Sequence, residues 1–538
     1  MKFINKIYTL SLLAFLATAI TSCQKGDLLN NPNAAGDGTL VPPSLLLNRI
    51  TSNLIKAEEQ PFAQAHRTNQ YYVSNYSYYW GSNFYNWSNS DQQYETFRYA
   101  VKLEEQAAKL GNTTNAYFAL SKFFKAYSAI WLSQRVGDIP MSEAVNTTIL
   151  TPKFDSQKEV YRSSLALLED ANTVMANLLA ITPANKNLVF DAQGDVFGLT
   201  YIQWQKVINT YKLRVLISLS KRADDNADLN VKAQFAAIIG NAAKYPVMEA
   251  INDNMLYKYN ASFNPYPVFT SKSYSYGVNI SKTLLDITTS SEDPRTFVFA
   301  TPAPAQYKTA GKNVGDFSAY VGASTNTDQA VLFAGTDVLG STSADKGAYS
   351  YINFKRYFSS QDGSTAEPYI LLGYPEMCFN IAEAINRGWL GGDAKSWYDK
   401  GINASLGVYG LTNGQVFPVS DRLGATIATT VIDIPRFLAN QNVAYKGNSA
   451  DGLKQILTQK YVSMFCNSGY EPFYNWLRTG YPAFAEGGVG IGTPNNKLSR
   501  RWMYPQNEIT YNSANYQASI QSQYGGNDDI TKDTWLNK

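Results

Sequence analysis

The sequence predicts a mainly α-helical protein, made of stacked helix pairs of the tetratricopeptide type with long loop-rich insertions and little β-structure. Two observations support this fold class. Apolar residues recur at helical spacing through most of the chain, and short breaks separate one such stretch from the next. Two long segments interrupt the pattern with Tyr, Asn, Ser and Gly. Insertions of this length in a compact protein are usually functional or disordered, and their aromatic content argues against disorder.

The composition suits a large folded protein with a neutral partner. The chain has 538 residues, of which 45% are hydrophobic and only 17% are charged. Its 46 Lys and Arg nearly balance 43 Asp and Glu, and they are not clustered, so nucleic acid is not an expected partner. Aromatic residues reach 14%. Aromatic and uncharged polar residues make up the difference from the roughly 25% of charged residues that is usual in soluble domains.

The first 22 residues have the pattern of a bacterial lipoprotein signal peptide. Lys2 and Lys6 precede the apolar stretch 7–20, which is too short to span ~30 Å of hydrocarbon. One aliphatic and two small residues then precede Cys23, the order of a lipobox. We expect cleavage before Cys23 and acylation of that residue, with palmitate as a typical chain. Several acyl chains hold a protein stably on a membrane, so the chain is expected to be anchored rather than spanning.

The mature chain, residues 23–538, is expected to form a single domain. In its first half, helical spacing is clearest in three stretches, at 116–136, 158–179 and around 204–219. Gly137 and Pro140 are expected to end the first of these helices. In the second half, helices are predicted at 369–388, at 393–406 with Asp393 as N-cap, and at 452–466.

The two loop-rich segments are residues 70–97 and 252–365. The first is dense in Tyr and contains two Trp residues among Asn, Ser and Gln, without helical or strand periodicity. The second is rich in Tyr, Ser, Gly, Thr and Pro, and we expect short strands in it at most. Both are predicted to be structured loops that lie over the helical scaffold.

The remaining cysteines and the lone histidine give no sign of a metal or catalytic centre. Cys378 lies on an apolar helical stripe and is expected to be a core thiol, although a disulfide with Cys466 is the alternative in an oxidising envelope. No CxxC motif or Cys/His cluster occurs, so neither a zinc site nor a cofactor is expected. His66 has no neighbouring Ser or Cys motif and is interpreted as a surface or capping residue.

Several blocks of sequence resemble the SusD/RagB family of nutrient-binding outer-membrane lipoproteins. The blocks follow in order along nearly the whole mature chain, and the lipobox agrees with them. They are Gly137-Asp-Ile-Pro140, the stretch from Trp204 to Arg214, the stretch from Met377 to Gly388, the stretch from Thr458 to Pro482, and the stretch from Arg500 to Glu508.

The resemblance implies a SusD-like helical scaffold without catalytic activity. It also implies an outer-membrane lipoprotein that faces the cell exterior, covers a SusC-like TonB-dependent transporter and presents an oligosaccharide or a peptide to it. Arg214, Glu383, Arg478 and Glu508 fall in the family blocks, where they are expected to form ion pairs or helix caps rather than contact ligand.

The aromatic segment supports a binding function on physical grounds. A sugar ring has an apolar C–H face and a rim of hydroxyl groups, so its site needs flat aromatic side chains beside amides. One stacked ring that removes ~100 Å² from water contributes ~2.5 kcal/mol, whereas millimolar affinity requires ~4.1 kcal/mol, so several rings are needed. The predicted ligand contacts are Tyr78, Tyr79, Trp80, Asn83, Tyr85, Asn86 and Trp87, with Tyr266, Tyr274 and Tyr276 as a second group.

Three other functions are compatible with the sequence. A peptide is the alternative ligand, because peptide sites use backbone groups that a sequence does not reveal, but the neighbouring Trp and Tyr rings favour a glycan. A purely structural lid would cover the transporter without touching its cargo. A helical glycoside hydrolase would need two carboxylates about 5–9.5 Å apart, and nothing in the sequence pairs the acids available. Those acids are Asp91, Glu95, Asp286 and Asp293.

Overall fold

The structure of the protein is a computed structural model. It describes residues 39–87, 93–190, 194–260, 262, 264–267, 277–336, 346–358 and 367–538. The signal peptide, Cys23, Asp91, Tyr274 and Tyr276 lie outside these ranges. Within the described ranges, no helix combines the length and the apolar character that a membrane crossing requires.

Helices dominate the first half of the described chain. Helix boundaries follow local signals, because the side chains of Asn115, Ser156 and Thr200 each accept a hydrogen bond from a backbone N–H of the first helical turn. These helices are α1 (Pro43–Asn53), α2 (Gln64–Thr68), α3 (Ser77–Trp80), α4 (Gln93–Ala108), α5 (Ala116–Val136), α6 (Gln157–Ile181), α7 (Tyr201–Ser218) and α8 (Val231–Gly240). The three helices predicted here from periodicity, α5, α6 and α7, are confirmed.

Helices α4 to α7 pack against one another in sequence order and form a stack of antiparallel neighbours. Aromatic rings fill the space between α5 and α7, where the ring of Trp204 lies 5.9 Å from Phe123 and 5.8 Å from Phe124. Gly137 ends α5 at φ +100°, and a Cβ there would lie 2.2 Å from Gln523 Oε1, so the position requires glycine. The stacked helix pairs agree with the predicted fold class.

The second half of the described chain contains shorter helices and a second packed group. Helix α13 lies at its centre and packs against α14, α16 and α7. The helices are α9 (Lys282–Ser290), α10 (Arg295–Phe299), α11 (Gln329–Ala334), α12 (Phe354–Tyr357), α13 (Tyr374–Asn386), α14 (Ala394–Val408), α15 (Ile434–Ala439), α16 (Ala450–Ser463), α17 (Glu471–Thr479), α18 (Gln506–Tyr511) and α19 (Ser513–Tyr524). Asp393 caps α14 as predicted, since its side chain accepts from the N–H of Lys395.

The described β-structure consists of three small antiparallel pairs. The strands are β1 (Tyr72–Ser74), β2 (Met255–Tyr257), β3 (Val278–Ile280), β4 (Tyr369–Leu372), β5 (Val416–Ser420) and β6 (Thr426–Val431). Strand β1 pairs with β3 in the register Tyr72–Ile280, β2 pairs with β4, and β5 pairs with β6 as a hairpin. The first pair ties the two loop-rich segments to each other.

The secondary structure differs from the predicted one in two segments. The helix expected over 369–388 begins at Tyr374, and the four preceding residues form β4. Pro375 explains the break, because it disfavours helical geometry at the residue before it and is well tolerated in the first helical turn. The segment 252–365 also holds helices α9 to α12, where short strands at most were expected. The longest of them, α9, is capped by the side chain of Ser281.

Buried ion pairs connect the helices of the scaffold, as expected for the residues of the family blocks. Arg214 pairs with Glu376, and Arg478 pairs with Glu383 across two helices. Burial alone would raise the pKa of Glu383, but the charge of Arg478 overcomes it and holds the pKa at about 2. Glu508 accepts a hydrogen bond from Asn512 at 3.0 Å within the chain segment that links α18 to α19.

The two later cysteines and the histidine are all core residues. Cys378 and Cys466 are buried free thiols, so the core prediction for Cys378 is confirmed and the alternative disulfide is absent. His66 is completely buried, and the prediction of a surface or capping residue was wrong. Its Nε2 lies 3.2 Å from the carbonyl oxygen of Glu59. A neutral ring with its hydrogen on Nε2 donates to that carbonyl.

The buried histidine predicts a pH-dependent stability. Burial lowers the pKa of His66 to about 3, from about 6.5 in the unfolded chain. Between these values the unfolded chain binds a proton that the folded protein excludes, so stability falls as the pH falls. From pH 7 to pH 5 this group removes about 2 kcal/mol from the free energy of unfolding.

Denaturant titrations of the wild type and His66→Gln at both pH values check this expectation. Glutamine keeps a donor for the Glu59 carbonyl but does not titrate, so the variant is expected to lose about 2 kcal/mol less than the wild type over the same interval. Other titrating groups contribute equally to both proteins. An equal loss in the two proteins would contradict the assignment.

Candidate ligand-binding surface

The aromatic segment 70–97 separates into a buried layer and an exposed layer. The buried layer contains Tyr85 and Trp87, which are 1% and 8% exposed. The hydroxyl of Tyr85 donates to the carbonyl of Thr68 at 2.8 Å. The indole of Trp87 stacks on that of Trp502, with ring centroids 4.2 Å apart. These side chains hold the segment on the scaffold.

Asn83 is also buried, and it shapes the loop instead of facing solvent. Its Oδ1 accepts from the N–H of Ser74 at 2.8 Å, and its Nδ2 donates to the carbonyl of the same residue at 2.8 Å. Asn83 therefore mimics a strand partner for Ser74. The two hydrogen bonds close the chain between these residues into a compact loop, which contains helix α3.

The second predicted group is not assembled at the surface. Tyr266 is 1% exposed, and its ring lies edge-on to Tyr259 at 5.1 Å. Tyr274 and Tyr276 lie outside the described residues. A sugar cannot reach a covered ring, so the predicted ligand contacts at Asn83, Tyr85, Trp87 and Tyr266 are corrected to structural roles.

The exposed layer is centred on Tyr78, which is 80% exposed. Tyr76 is 39% exposed, and its ring centroid lies 6.4 Å from that of Tyr78. Tyr79 and Trp80 complete helix α3. Asn86 is exposed further along the loop, between the two buried aromatic residues.

A second element brings another ring to Tyr76. The ring of Phe333, on helix α11, lies 5.2 Å from that of Tyr76 at an interplanar angle of 31°. Gln329, on the same helix, donates from Nε2 to the carbonyls of Ser74 and Gly81, both at 3.1 Å. Helix α11 is therefore fixed to both ends of the loop. We call Tyr76, Tyr78 and Phe333 the aromatic surface.

A small apolar cluster lies beneath this arrangement. Val73, Ala323 and Leu332 are fully buried against one another, and they join β1 to the first turns of α11. Asp328 is the N-cap of α11, and its carboxylate accepts a hydrogen bond from the N–H of Ala330 at 2.8 Å. The aromatic surface thus combines flat rings with phenolic hydroxyls on a fixed backbone. Such a surface suits a neutral polyhydroxylated ligand.

Two members of the aromatic surface were not selected from the sequence. Tyr76 belongs to the aromatic segment, but its neighbours did not distinguish it from the buried rings there. Phe333 is 257 residues away from Tyr76, and no local signal places it beside that ring. Only the fold brings the two loop-rich segments together.

The three acids considered for hydrolysis that lie in the described ranges each pair with a basic residue. Glu95 bonds to Arg49 at 2.7 Å, and Asp293 is fully buried against Arg295. Asp286 pairs with Lys282 on the surface of α9. Among the described residues, no group of three His, Cys, Asp or Glu side chains could hold a metal ion.

The chain is similar to known proteins over most of its length. The chain matches a SusD-like family model, described as "Starch-binding associating with outer membrane", over residues 34–505. It is similar to a SusD homolog from Bacteroides fragilis NCTC 9343, with 28% identity, 92% of this chain and 100% of that chain covered, and a TM-score of 0.76.

Two further structures share the fold. An outer-membrane protein from Bacteroides vulgatus ATCC 8482, described in connection with nutrient binding, is 28% identical, with 93% of this chain and 100% of that chain covered and a TM-score of 0.74. A chitin-binding protein at 23% identity, with 92% and 99% covered, has a TM-score of 0.65 and shows the fold alone. No protein with a curated function matches the chain.

Proposed function

The chain belongs to the SusD-like family of outer-membrane nutrient-binding proteins, and from this premise we propose that it captures a nutrient oligosaccharide on the aromatic surface. Proteins of this family bind their ligands without catalysis, and this chain is a binding protein in the same sense. Acyl chains on Cys23 hold it at the outer membrane with the aromatic surface toward the cell exterior. The captured sugar passes to a SusC-like TonB-dependent transporter.

One observation carries the proposal, namely the grouping of three rings from two loop-rich segments on a fixed backbone. Rings that served only to fill the core would be buried, as Tyr85 and Trp87 are, whereas Tyr78 exposes 80% of its surface. A group of neighbouring exposed rings is typical of a binding surface, whereas a single exposed ring is not. The C–H face of a sugar covers such a ring, while its hydroxyl groups bond to phenolic and amide groups beside it.

The size of the aromatic surface suits capture and release. Each ring that a sugar covers contributes ~2.5 kcal/mol for ~100 Å² removed from water. Three rings supply more than the ~4.1 kcal/mol of millimolar binding before the cost of ordering the ligand is subtracted. Modest affinity is appropriate for a protein that hands its ligand to a transporter. The proposed contacts are Tyr76, Tyr78, Tyr79, Trp80, Asn86 and Phe333.

Calorimetric titration of the protein lacking residues 1–23 with a panel of neutral oligosaccharides and peptides tests the proposal. An oligosaccharide is expected to bind, and Tyr78→Ala is expected to weaken that binding by at least about tenfold, because the variant loses ~2.5 kcal/mol of ring contact and ~1.4 kcal/mol already corresponds to a factor of ten. Tyr511→Ala is the matched control, because Tyr511 is 74% exposed on helix α18 and should not affect binding.

The possible outcomes separate the alternatives. Binding of peptides alone would replace the sugar with a peptide ligand at the same family site. Binding of an oligosaccharide that Tyr78→Ala and Tyr511→Ala affect equally would remove the aromatic surface from the proposal. If nothing in the panel binds and the transporter still assembles with the protein, the chain is a structural lid.

A further inference from the structure

Two connections of the helical stack meet at one end. Because α4 to α7 are antiparallel neighbours, the α4–α5 and α6–α7 connections lie at the same end of the stack. Their contacts agree with this placement, since the ring of Tyr117 at the start of α5 lies 5.0 Å from that of Phe190 in the α6–α7 connection. The side chain of Asn115 closes the α4–α5 connection by donating to the carbonyl of Ala107 at 3.1 Å.

The N-terminal segment enters the fold at the same end. The N–H of Val41 donates to Oε1 of Gln106, in the last turn of α4, at 3.0 Å. Helix α1 then runs away from this point along α4, so that Arg49 reaches Glu95 in the first turn of α4. Described residues 39–48 therefore begin beside the two connections. We call residues 39–48, 106–116 and 181–190 together the apolar end.

Aliphatic side chains are exposed across the apolar end. Ile181 is 72% exposed and Leu45 is 54% exposed. The full set of exposed aliphatic residues there is Leu40, Leu45, Leu110, Ile181, Leu188 and Val189. At the opposite end of the stack, the α5–α6 connection, residues 137–156, is described throughout and exposes Leu150 as its one large hydrophobic residue.

The described charged residues within the three ranges of the apolar end are lysines, and the exposed Glu105 lies one residue outside them. The lysines are Lys109 and Lys186, both exposed. Apolar side chains beside lysines are typical of protein surfaces that lie in the headgroup region of an anionic bilayer.

The tether limits how far this end lies from the membrane. This step rests on the proposed acylation of Cys23. Sixteen residues lead from Cys23 to Thr39. At ~3.4 Å per residue, a fully extended chain would reach ~55 Å, and any other conformation is shorter. The tether therefore enters the described fold at the apolar end of the stack.

We propose that the apolar end rests on the lipid bilayer and forms a second, non-covalent attachment to the membrane beside the acyl chains. The aliphatic side chains enter the interfacial region, and the two lysines contact anionic headgroups. The acyl chains alone would leave the protein free to swing about its tether. Contact through the apolar end fixes which face of the helical stack is turned toward the bilayer.

Site-specific fluorescence on the acylated mature protein tests this proposal. Leu188→Cys and Leu150→Cys each add one exposed thiol for an environment-sensitive fluorophore, since Cys378 and Cys466 are buried. The labelled proteins are bound to vesicles of phosphatidylethanolamine and phosphatidylglycerol. We expect a blue-shifted emission and quenching by brominated lipid at position 188, and neither at position 150.

Each other outcome has a definite meaning. If the acylated protein binds vesicles but both labels emit as in water, the apolar end does not touch the bilayer, and the proposal fails while the anchor stands. If the protein does not bind vesicles, the anchor and this proposal fail together. If position 188 is shielded only when the transporter is present, its occupant is protein, and the membrane contact is refuted.

A second variant measures the contribution of the aliphatic residues. In the acylated protein, combined Ile181→Ser and Leu188→Ser substitutions are expected to lower the vesicle partition coefficient about tenfold. Leu150→Ser is the matched control and should leave it unchanged. All three positions are exposed, so the substitutions leave the core intact. Equal partitioning of the two variants would overturn the proposal.

Discussion

Replacing Arg214 with methionine is expected to lower the free energy of unfolding by about 3–5 kcal/mol. Nε of Arg214 donates to Oε1 of Glu376 at 2.7 Å, and one terminal nitrogen donates to the carbonyl of Leu371 at 2.8 Å. Both side chains of the ion pair are buried, so methionine would leave the Glu376 carboxylate without its hydrogen-bonded counter-charge. The pair joins α7 to α13 and β4, so breaking it removes a contact between the two packed groups of helices.

Two control variants separate the buried charge from the loss of an ion pair as such. Arg49→Met breaks the pair with Glu95, whose side chains are 53% and 38% exposed, and should cost less than about 1 kcal/mol. The double variant Arg214→Met with Glu376→Leu removes both charges and should recover most of the lost stability. Guanidinium titrations measure all three. Equal destabilisation by Arg214→Met and Arg49→Met would show that burial does not matter here.

The helical stack could be predicted because its signals are local. The apolar stripe of α5, its Asn115 cap and its Gly137 stop all lie within one stretch of sequence. Strand β4 could not be predicted in the same way. Its four apolar residues fit a helix equally well, and the partner that makes them a strand, β2, lies more than a hundred residues earlier.

Which rings of the aromatic segment face solvent was predicted less well, because exposure depends on distant partners. In the sequence, Tyr78 and Trp87 look alike, since both are large rings among Asn and Ser. The difference arises from Trp502, which covers the indole of Trp87 from the other end of the chain, whereas Tyr78 remains 80% exposed. Composition singled out the segment that carries the proposed site, but the fold decides which of its rings face solvent.

Replacing Trp87 with alanine is expected to lower the free energy of unfolding by about 3–5 kcal/mol. The indole stacks on Trp502 at 4.2 Å and meets the ring of Phe473 edge-on at 5.2 Å, so alanine would leave a cavity among aromatic rings. Trp87→Phe keeps a ring in the site and should cost less. Tyr78→Ala removes no buried contact of this kind and should change stability by no more than about 0.5 kcal/mol.

Ligand binding is expected to respond in the opposite way to the same two substitutions. At a temperature where Trp87→Ala is still folded, its affinity for the oligosaccharide should equal that of the wild type, because the covered indole does not reach the ligand. Tyr78→Ala should lose at least about tenfold in affinity at nearly unchanged stability. Thermal unfolding and calorimetric binding on the same preparations measure both effects. If Trp87→Ala instead lost affinity at full stability, Trp87 would have to turn outward to meet the sugar, and the division between the buried and exposed layers would be incorrect.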